Sequence, residues 1–186
     1  MNKRYISATE LLVDSFRLAQ RILDSGFRPD LLVGVWRGGT PVGVAVLEYL
    51  AFRGIRCEHF PVKTASYGDP GQREQQVRVA GIETIVGNLR QGMVLLLVDD
   101  VFDTGLSVKS LAEQLYATAP TGTIADLRVA CPWFKPSQNV SGLVPDYYLH
   151  ETDDWLVFPH ELIGLKPDEL QRKPDLAPVI AELFRD

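Results

Sequence analysis

The stretch that most limits the fold runs from Met93 to Ser107, where the apolar residues Met93-Val94-Leu95-Leu96-Leu97-Val98 run straight into Asp99-Asp100. A run that short and that continuously apolar suits a strand buried on both faces, and such strands belong to parallel sheets covered by helices. Two carboxylates directly after it are costly unless a cation or hydroxyl donors meet them. Asp103-Thr104-Gly105-Leu106-Ser107 then turns into a helical pattern reaching about Ala117. A glycine turn flanked by hydroxyls at a helix start leaves several backbone N–H groups free, which is what a phosphate needs. In open α/β sheets, ligands bind at the carboxyl ends of the strands. The loop after Val98 thus offers an anion cradle beside two acids, which suits a phosphorylated sugar. The competing reading is an ordinary strand–turn–helix in which Asp103 or Thr104 merely caps the helix.

The rest of the chain alternates strands with helices. Ser7 and Glu10 have the spacing of a capping box, and Leu11, Leu12, Phe16, Ala19, Ile22 and Leu23 recur at helical spacing until Gly26. Residues 31–36 predict a buried strand ending in Arg37-Gly38-Gly39, and a helix follows over about 41–53. Residues 55–62 and 124–131 predict further strands, 147–149 and 156–158 shorter ones, and 175–184 a closing helix. Residues 64–80 are polar and contain Gly-Asp-Pro-Gly, which predicts a long mobile loop. The pattern as a whole predicts an α/β fold with a mostly parallel sheet. No repeat or linker interrupts it, so residues 1–186 read as a single domain.

Composition excludes several classes of function. The chain has 24 acidic against 19 basic side chains, a net charge of −5, so it has no bulk attraction for nucleic acid or an anionic membrane. It contains no apolar stretch of bilayer length and no secretory pattern at its start, which predicts a cytoplasmic protein that binds neither nucleic acid nor membrane. Cys57 and Cys131 read as buried, reduced thiols. A polyanionic substrate would have to be held by local geometry and metal ions. There is no GxxxxGK[ST] loop and no GxGxxG after a strand, and Val101 stands where a haloacid-dehalogenase-type phosphatase needs its second aspartate.

The run VLLLVDDVFDTGLS, residues 94–107, resembles the phosphoribosyl-pyrophosphate signature of the type I phosphoribosyltransferases. The resemblance implies that Asp99 and Asp100 hold the ribose hydroxyls, directly or through Mg2+. It implies that Asp103 lies near the ring nitrogen of the base, and that Thr104, Gly105, Leu106 and Ser107 wrap the 5-phosphate. Leu106 stands where many relatives carry Lys or Arg, but a phosphate needs the backbone N–H there.

Three further segments carry the same resemblance. VGVWRGGTPVG, residues 33–43, is similar to the family's pyrophosphate loop, with Arg37 supplying charge and Gly38 and Gly39 allowing close approach. A non-proline cis peptide between Arg37 and Gly38 is the implied backbone feature. Ala65-Ser66-Tyr67-Gly68 resembles the flexible lid of purine-type members, which implies that Ser66 and Tyr67, with Arg73 and Arg78, face the pyrophosphate. Residues 130–136 and 145–159 resemble the hood of 6-oxopurine enzymes. Lys135 would then donate to the purine 6-oxo group, Trp155 stack on the ring, and the Leu156 backbone meet the base edge. Against each stands a plainer reading: a solvated Arg37 turn, an exposed polar loop, a core Trp155 and a surface Lys135. Glu161, with His160, is a further candidate toward Mg2+ or pyrophosphate, although a solvated loop end is the better reading of both.

The resemblance implies a type I phosphoribosyltransferase fold with a small hood built from the N-terminal segment and about residues 132–165. It also implies Mg2+, phosphoribosyl pyrophosphate and a purine base (hypoxanthine, guanine or xanthine) as cofactor and substrates, with Asp103 catalytic, in a homodimer or homotetramer. Two alternatives stay open: a nucleotide-sensing regulator of the same fold, and the same reaction on uracil, orotate or adenine.

Overall fold

The computed structural model describes residues 2–67 and 76–183. The chain begins with β1 (Lys3–Tyr5) and α1 (Ala8–Asp24), then β2 (Leu31–Trp36) and α2 (Gly39–Phe52). It continues through β3 (Glu58–Tyr67), β4 (Gln76–Ala80), α3 (Ile82–Gly87), β5 (Met93–Val98) and β6 (Val101–Phe102). The remaining elements are α4 (Leu106–Thr118), β7 (Ile124–Ala130), β8 (Trp133–Phe134), β9 (His150–Glu151), β10 (Trp155–Val157), α5 (Pro167–Leu170) and α6 (Ile180–Leu183). The fold is α/β with a mostly parallel central sheet in the order β4-β3-β2-β5-β7; only β4 runs antiparallel, against β3.

Strand period two sorts the sheet's residues onto two helical layers. Leu32, Leu96 and Val98 pack with Leu18 and Ile22 of α1 and Val42 and Val46 of α2. Leu31, Val33, Leu95 and Leu97 face Ile85 of α3 and Val108, Leu111 and Leu115 of α4. Each such fully buried Leu or Val contributes about 1.5–3 kcal/mol of transfer free energy. Helix α1 starts where the sequence predicts: the Ser7 side chain accepts the Glu10 amide at 3.0 Å. Because β2, β5 and β7 are parallel, their carboxyl ends reach one edge of the sheet together. Two small parallel sheets, β1-β10 and β6-β8-β9, lie outside the central one.

Several expectations are corrected. Residues 55–57 turn out of α2, with the Ile55 amide bonded to Leu50 O, so the strand begins at Glu58 and runs on to Tyr67. Of the segment read as a loop over 64–80, residues 64–67 and 76–80 are antiparallel strands in which Tyr67 pairs with Gln76, as Lys63 does with Ala80, and residues 68–75 lie outside the described residues. Val77 and Val79 alternate with Arg78 and Ala80, and Ser110 Oγ of α4 donates to Val77 O at 3.0 Å, so the pairing closes an otherwise open edge. Helix α2 starts at Gly39, two residues earlier than predicted, and α3 is an element the sequence pattern does not announce. Residues 147–149 form no strand of their own: Tyr147 bridges Ala130, and the short strand is His150–Glu151. The helix expected over 175–184 reduces to Ile180–Leu183, because Pro178 has no amide to continue the ladder and i→i−3 turns precede it. Cys131 is buried as expected, but Cys57 is only half-buried.

Candidate active site

The loop after β5 is held where β2 and β7 also end. Asp99 N donates to Ala130 O at 3.1 Å, and Asp99 Oδ1 accepts the Asp100 amide at 2.9 Å. The loop after β2 packs directly on this pair. A Cβ added to Gly38 would lie 1.9 Å from Asp100 Oδ2, and one on Gly39 would lie 2.3 Å from Val98 O. Only glycine lets the two loops touch there. The non-proline cis peptide lies between Trp36 and Arg37, one bond earlier than the sequence resemblance implied.

The turn into α4 has the expected shape. Gly105 has φ +75°, and a Cβ there would meet Ser141 Oγ at 2.3 Å and Phe102 Cε1 at 2.5 Å. Thr104 Oγ1 lies 3.4 Å from the Leu106 amide, a long contact, and Lys109 N is the first amide to bond back, to Gly105 O. The amides of Gly105, Leu106 and Ser107 precede the helical ladder and are the donors an anion would use.

Beside that turn is a cavity of about 310 Å3, lined by Arg37, Gly38, Asp100, Val101, Asp103, Lys135, Trp155, Leu156, Phe158, His160 and Glu161. β8 carries Lys135 in at its end, and the Lys135 amide bonds Phe102 O of β6 at 2.9 Å. Lys135 is only 5% exposed, and its Nζ donates to Asp103 Oδ2 at 2.9 Å while lying 5.9 Å from the Trp155 ring centre. Trp155, at the start of β10, is 55% exposed, so it presents its ring toward the open cavity rather than the core. One wall therefore combines a flat aromatic, a buried cation and a carboxylate; the opposite wall combines Arg37, a glycine backbone and Asp100.

Burial, and then the charge of Asp100, hold the Asp99 carboxyl well above the ordinary carboxylate range, against hydrogen bonds from the Asp100 and Gly39 amides. Burial likewise lifts Asp100 to about 6; its hydrogen bond with Asp99 pulls down and the Glu161 charge pushes up. His160 Nε2 lies 3.8 Å from Asp100 Oδ2, but burial dominates its own environment and lowers its pKa, so it is a poor counter-charge for that acid. Such an acid pair fits a divalent cation. Asp100, with the hard oxygens of a bound sugar and pyrophosphate, is the donor set Mg2+ takes, since that ion keeps few protein ligands. Among the described residues no cluster of three His, Cys, Asp or Glu side chains makes a metal cage.

The structure thus brings Arg37, Gly38, Asp100, Asp103, Lys135, Trp155, Leu156 and Glu161 around one cavity. Asp99 lies behind it against Gly39, and Thr104 to Ser107 form the adjoining turn. Ser66 and Tyr67 end β3 opposite Val77 and Gln76; their side chains, with Gly68 and Arg73, lie outside the described residues. Arg78 sits on β4, exposed, and does not line the cavity. His160 and Glu161, read from sequence as a solvated loop end, instead line the cavity next to Asp100. No local sequence pattern signals this; in the structure the Glu161 carboxylate turns back to accept the Phe158 amide at 3.0 Å and closes a tight turn.

Known proteins share this fold. A family model described as the phosphoribosyl transferase domain matches residues 5–162. A purine phosphoribosyltransferase from Pyrococcus horikoshii superposes with TM-score 0.68 at 24% identity, covering 89% of this chain and 99% of its own. A hypothetical protein from Neisseria gonorrhoeae with bound ppGpp gives TM-score 0.74 at 20% identity, covering 95% and 97%. The xanthine-guanine-hypoxanthine phosphoribosyltransferase of Helicobacter pylori gives 0.65 at 18% identity, covering 97% and 99%. At these identities the likeness carries the fold. No curated protein sequence matches the chain. Among the described residues no helix is long and apolar enough to cross a membrane.

Proposed function

We propose, from the premise that this chain belongs to the phosphoribosyl transferase domain family, that it moves the 5-phosphoribosyl group of phosphoribosyl pyrophosphate onto a 6-oxopurine. The products are a nucleoside 5'-monophosphate and pyrophosphate. The observation that carries this reading is the Lys135–Asp103 pair, 2.9 Å apart and beside Trp155, in the same cavity as Arg37 and Asp100. Trp155 offers a stacking face for a flat heterocycle, and Lys135 offers a charged donor to an exocyclic oxygen. An adenine, with an amino group at that position, would meet a donor with a donor.

The chain's residues act mainly by positioning. The amides of residues 105–107 hold the terminal phosphate, and Asp100, backed by Asp99, takes the ribose diol, so that the anomeric carbon faces the base. Arg37 and the Gly38 backbone receive the pyrophosphate as the carbon–oxygen bond breaks and a carbon–nitrogen bond to the purine forms. A Mg2+ ion held beside Asp100 would supply positive charge to offset that of the pyrophosphate. Asp103, at the base side, takes or relays the proton the purine nitrogen gives up. Lys135 already engages Asp103 Oδ2, so an incoming base meets an ion pair rather than a lone carboxylate. In this reading β1, β10 and the β6-β8-β9 sheet act as the hood over the base.

A nucleotide-sensing role keeps one observation in its favour, the ppGpp bound by the structurally similar gonococcal protein. One experiment separates the readings: incubation with Mg2+, phosphoribosyl pyrophosphate and each nucleobase in turn. Product from oxopurines alone is the expected result. Product from a pyrimidine removes the base-side assignment, and no product with any base favours the sensor.

A further inference from the structure

The family match ends at Leu162, yet beyond it the chain returns to a turn that lines the cavity. Residues 166–183 cross the start of the molecule. Glu169 pairs with Lys3 of β1, and Asp175 Oδ2 accepts the Ala8 amide at 2.6 Å, at the first turn of α1. Between these anchors Lys173 is 2% exposed, the most deeply buried cation among the described residues. Its Nζ donates to Phe158 O and to Glu161 O, both at 2.6 Å. Those carbonyls begin and end the turn that lines the cavity, and Phe158 O also accepts the Glu161 amide at 3.0 Å.

An ammonium group is expensive to bury, and burial lowers the pKa of this one, with the Glu161 and Asp175 charges opposing the shift. A core position that needed only bulk would be filled more cheaply by Leu or Met. The charge is spent on two backbone acceptors of one short turn, and that turn carries His160 to within 3.8 Å of Asp100 Oδ2.

We propose that Lys173 is a positioning residue: from a C-terminal strap beyond the residues the family model matches, it locks residues 158–161 and so holds His160 and Glu161 beside Asp100. The part of this that concerns turnover rests on the phosphoribosyl transfer proposed above; the part that concerns the turn does not. Disorder of the turn would leave the cavity wall next to the acid pair undefined, so the loss should appear in kcat more than in the KM for the base.

The test begins with the unaltered full chain, so no variant has to fold. In native-state hydrogen exchange with rising urea, the Glu161 amide should exchange through the same opening as the strap amides of Lys173 and Ala177. An independent, faster opening of Glu161 overturns the proposal. Lys173→Met, compared at a temperature where it is folded, should then speed exchange over 158–161 by about tenfold or more while the amides of β2 and β5 keep their protection. It should also lower kcat by about tenfold, Lys173→Arg should restore part of that loss, and Arg172→Ala should change neither reading. A lowered melting temperature with unchanged kcat and unchanged local exchange overturns the proposal and leaves Lys173 a packing residue. Should the unaltered chain turn over no nucleobase, the proposed transfer falls by itself and the exchange comparison alone decides whether the strap locks the turn.

Discussion

Asp100 and Asp103 stand three residues apart after the same strand, yet the fold treats them in opposite ways. Asp103, whose side chain is 44% exposed, is met at 2.9 Å by the buried Lys135. Asp100 is buried against a second acid, and among the described residues no Lys or Arg lies within ion-pair distance; its neighbour is His160, whose protonation burial disfavours. The Asp103 carboxylate is thus neutralised by the protein. Asp99 and Asp100 are held above the ordinary carboxylate range, and the proposed reading completes them with a bound sugar. A fold that buries two neighbouring acids at a strand end gives up stability for a site, whereas Lys135 and Asp103 each meet their counter-charge within the protein.

The contrast is broken most severely by closing the contact between the two loops. Gly38→Ala puts a methyl group into the space of Asp100 Oδ2, and steady-state assays should show kcat/KM for phosphoribosyl pyrophosphate reduced by about a hundredfold. A variant that keeps most of its activity would mean the loops part readily and that the contact is incidental. On the base side, Asp103→Asn should lower turnover by more than about tenfold with a modest effect on substrate affinity. Near-normal turnover would remove Asp103 from the chemistry. Lys135→Met should raise the KM for the oxopurine by about tenfold and leave that for phosphoribosyl pyrophosphate nearly unchanged. Equal effects on both would put Lys135 outside the base subsite.

The mildest change tests the electrostatics without substrate. A carboxyl raised to about 6 by folding is more comfortable protonated, so its contribution to stability is lost as pH climbs from the ordinary carboxylate range through about 6. Asp100→Asn should remove that decline and raise the melting temperature of the ligand-free protein at pH 8 by a few degrees, corresponding to about 1 kcal/mol, with little gain near pH 4. Parallel melting curves for the two proteins across that range would show that the acid pair is not strained.

How far the sequence speaks depends on whether an arrangement is local. Met93–Val98, the acid pair and the turn at Gly105 are contiguous, and each obeys a short-range rule about strand burial, charge placement or helix starts, so this corner is legible from the order of its residues alone. Lys135 and Trp155 are twenty positions apart with no periodic relation; they are legible only through resemblance, and β8 and β10 bring them together around the cavity. The β3–β4 hairpin is hidden because its polar alternation looks like a loop until the exposed sheet edge and Ser110 give it partners. His160 and Glu161 escape the sequence because nothing near them in the chain says they face inward. In the structure the Lys173 ammonium, twelve residues beyond Glu161 and folded back across the protein, bonds both carbonyls of their turn.

The central claim is that one turn grips a sugar phosphate while the neighbouring acids take the sugar's diol. Crystals soaked with ribose 5-phosphate and Mg2+ test it most directly. The phosphate should lie on the amides of residues 105–107, with the ribose hydroxyls toward Asp99 and Asp100. A sugar phosphate bound elsewhere, or a turn left without phosphate at saturating ligand, would contradict the account.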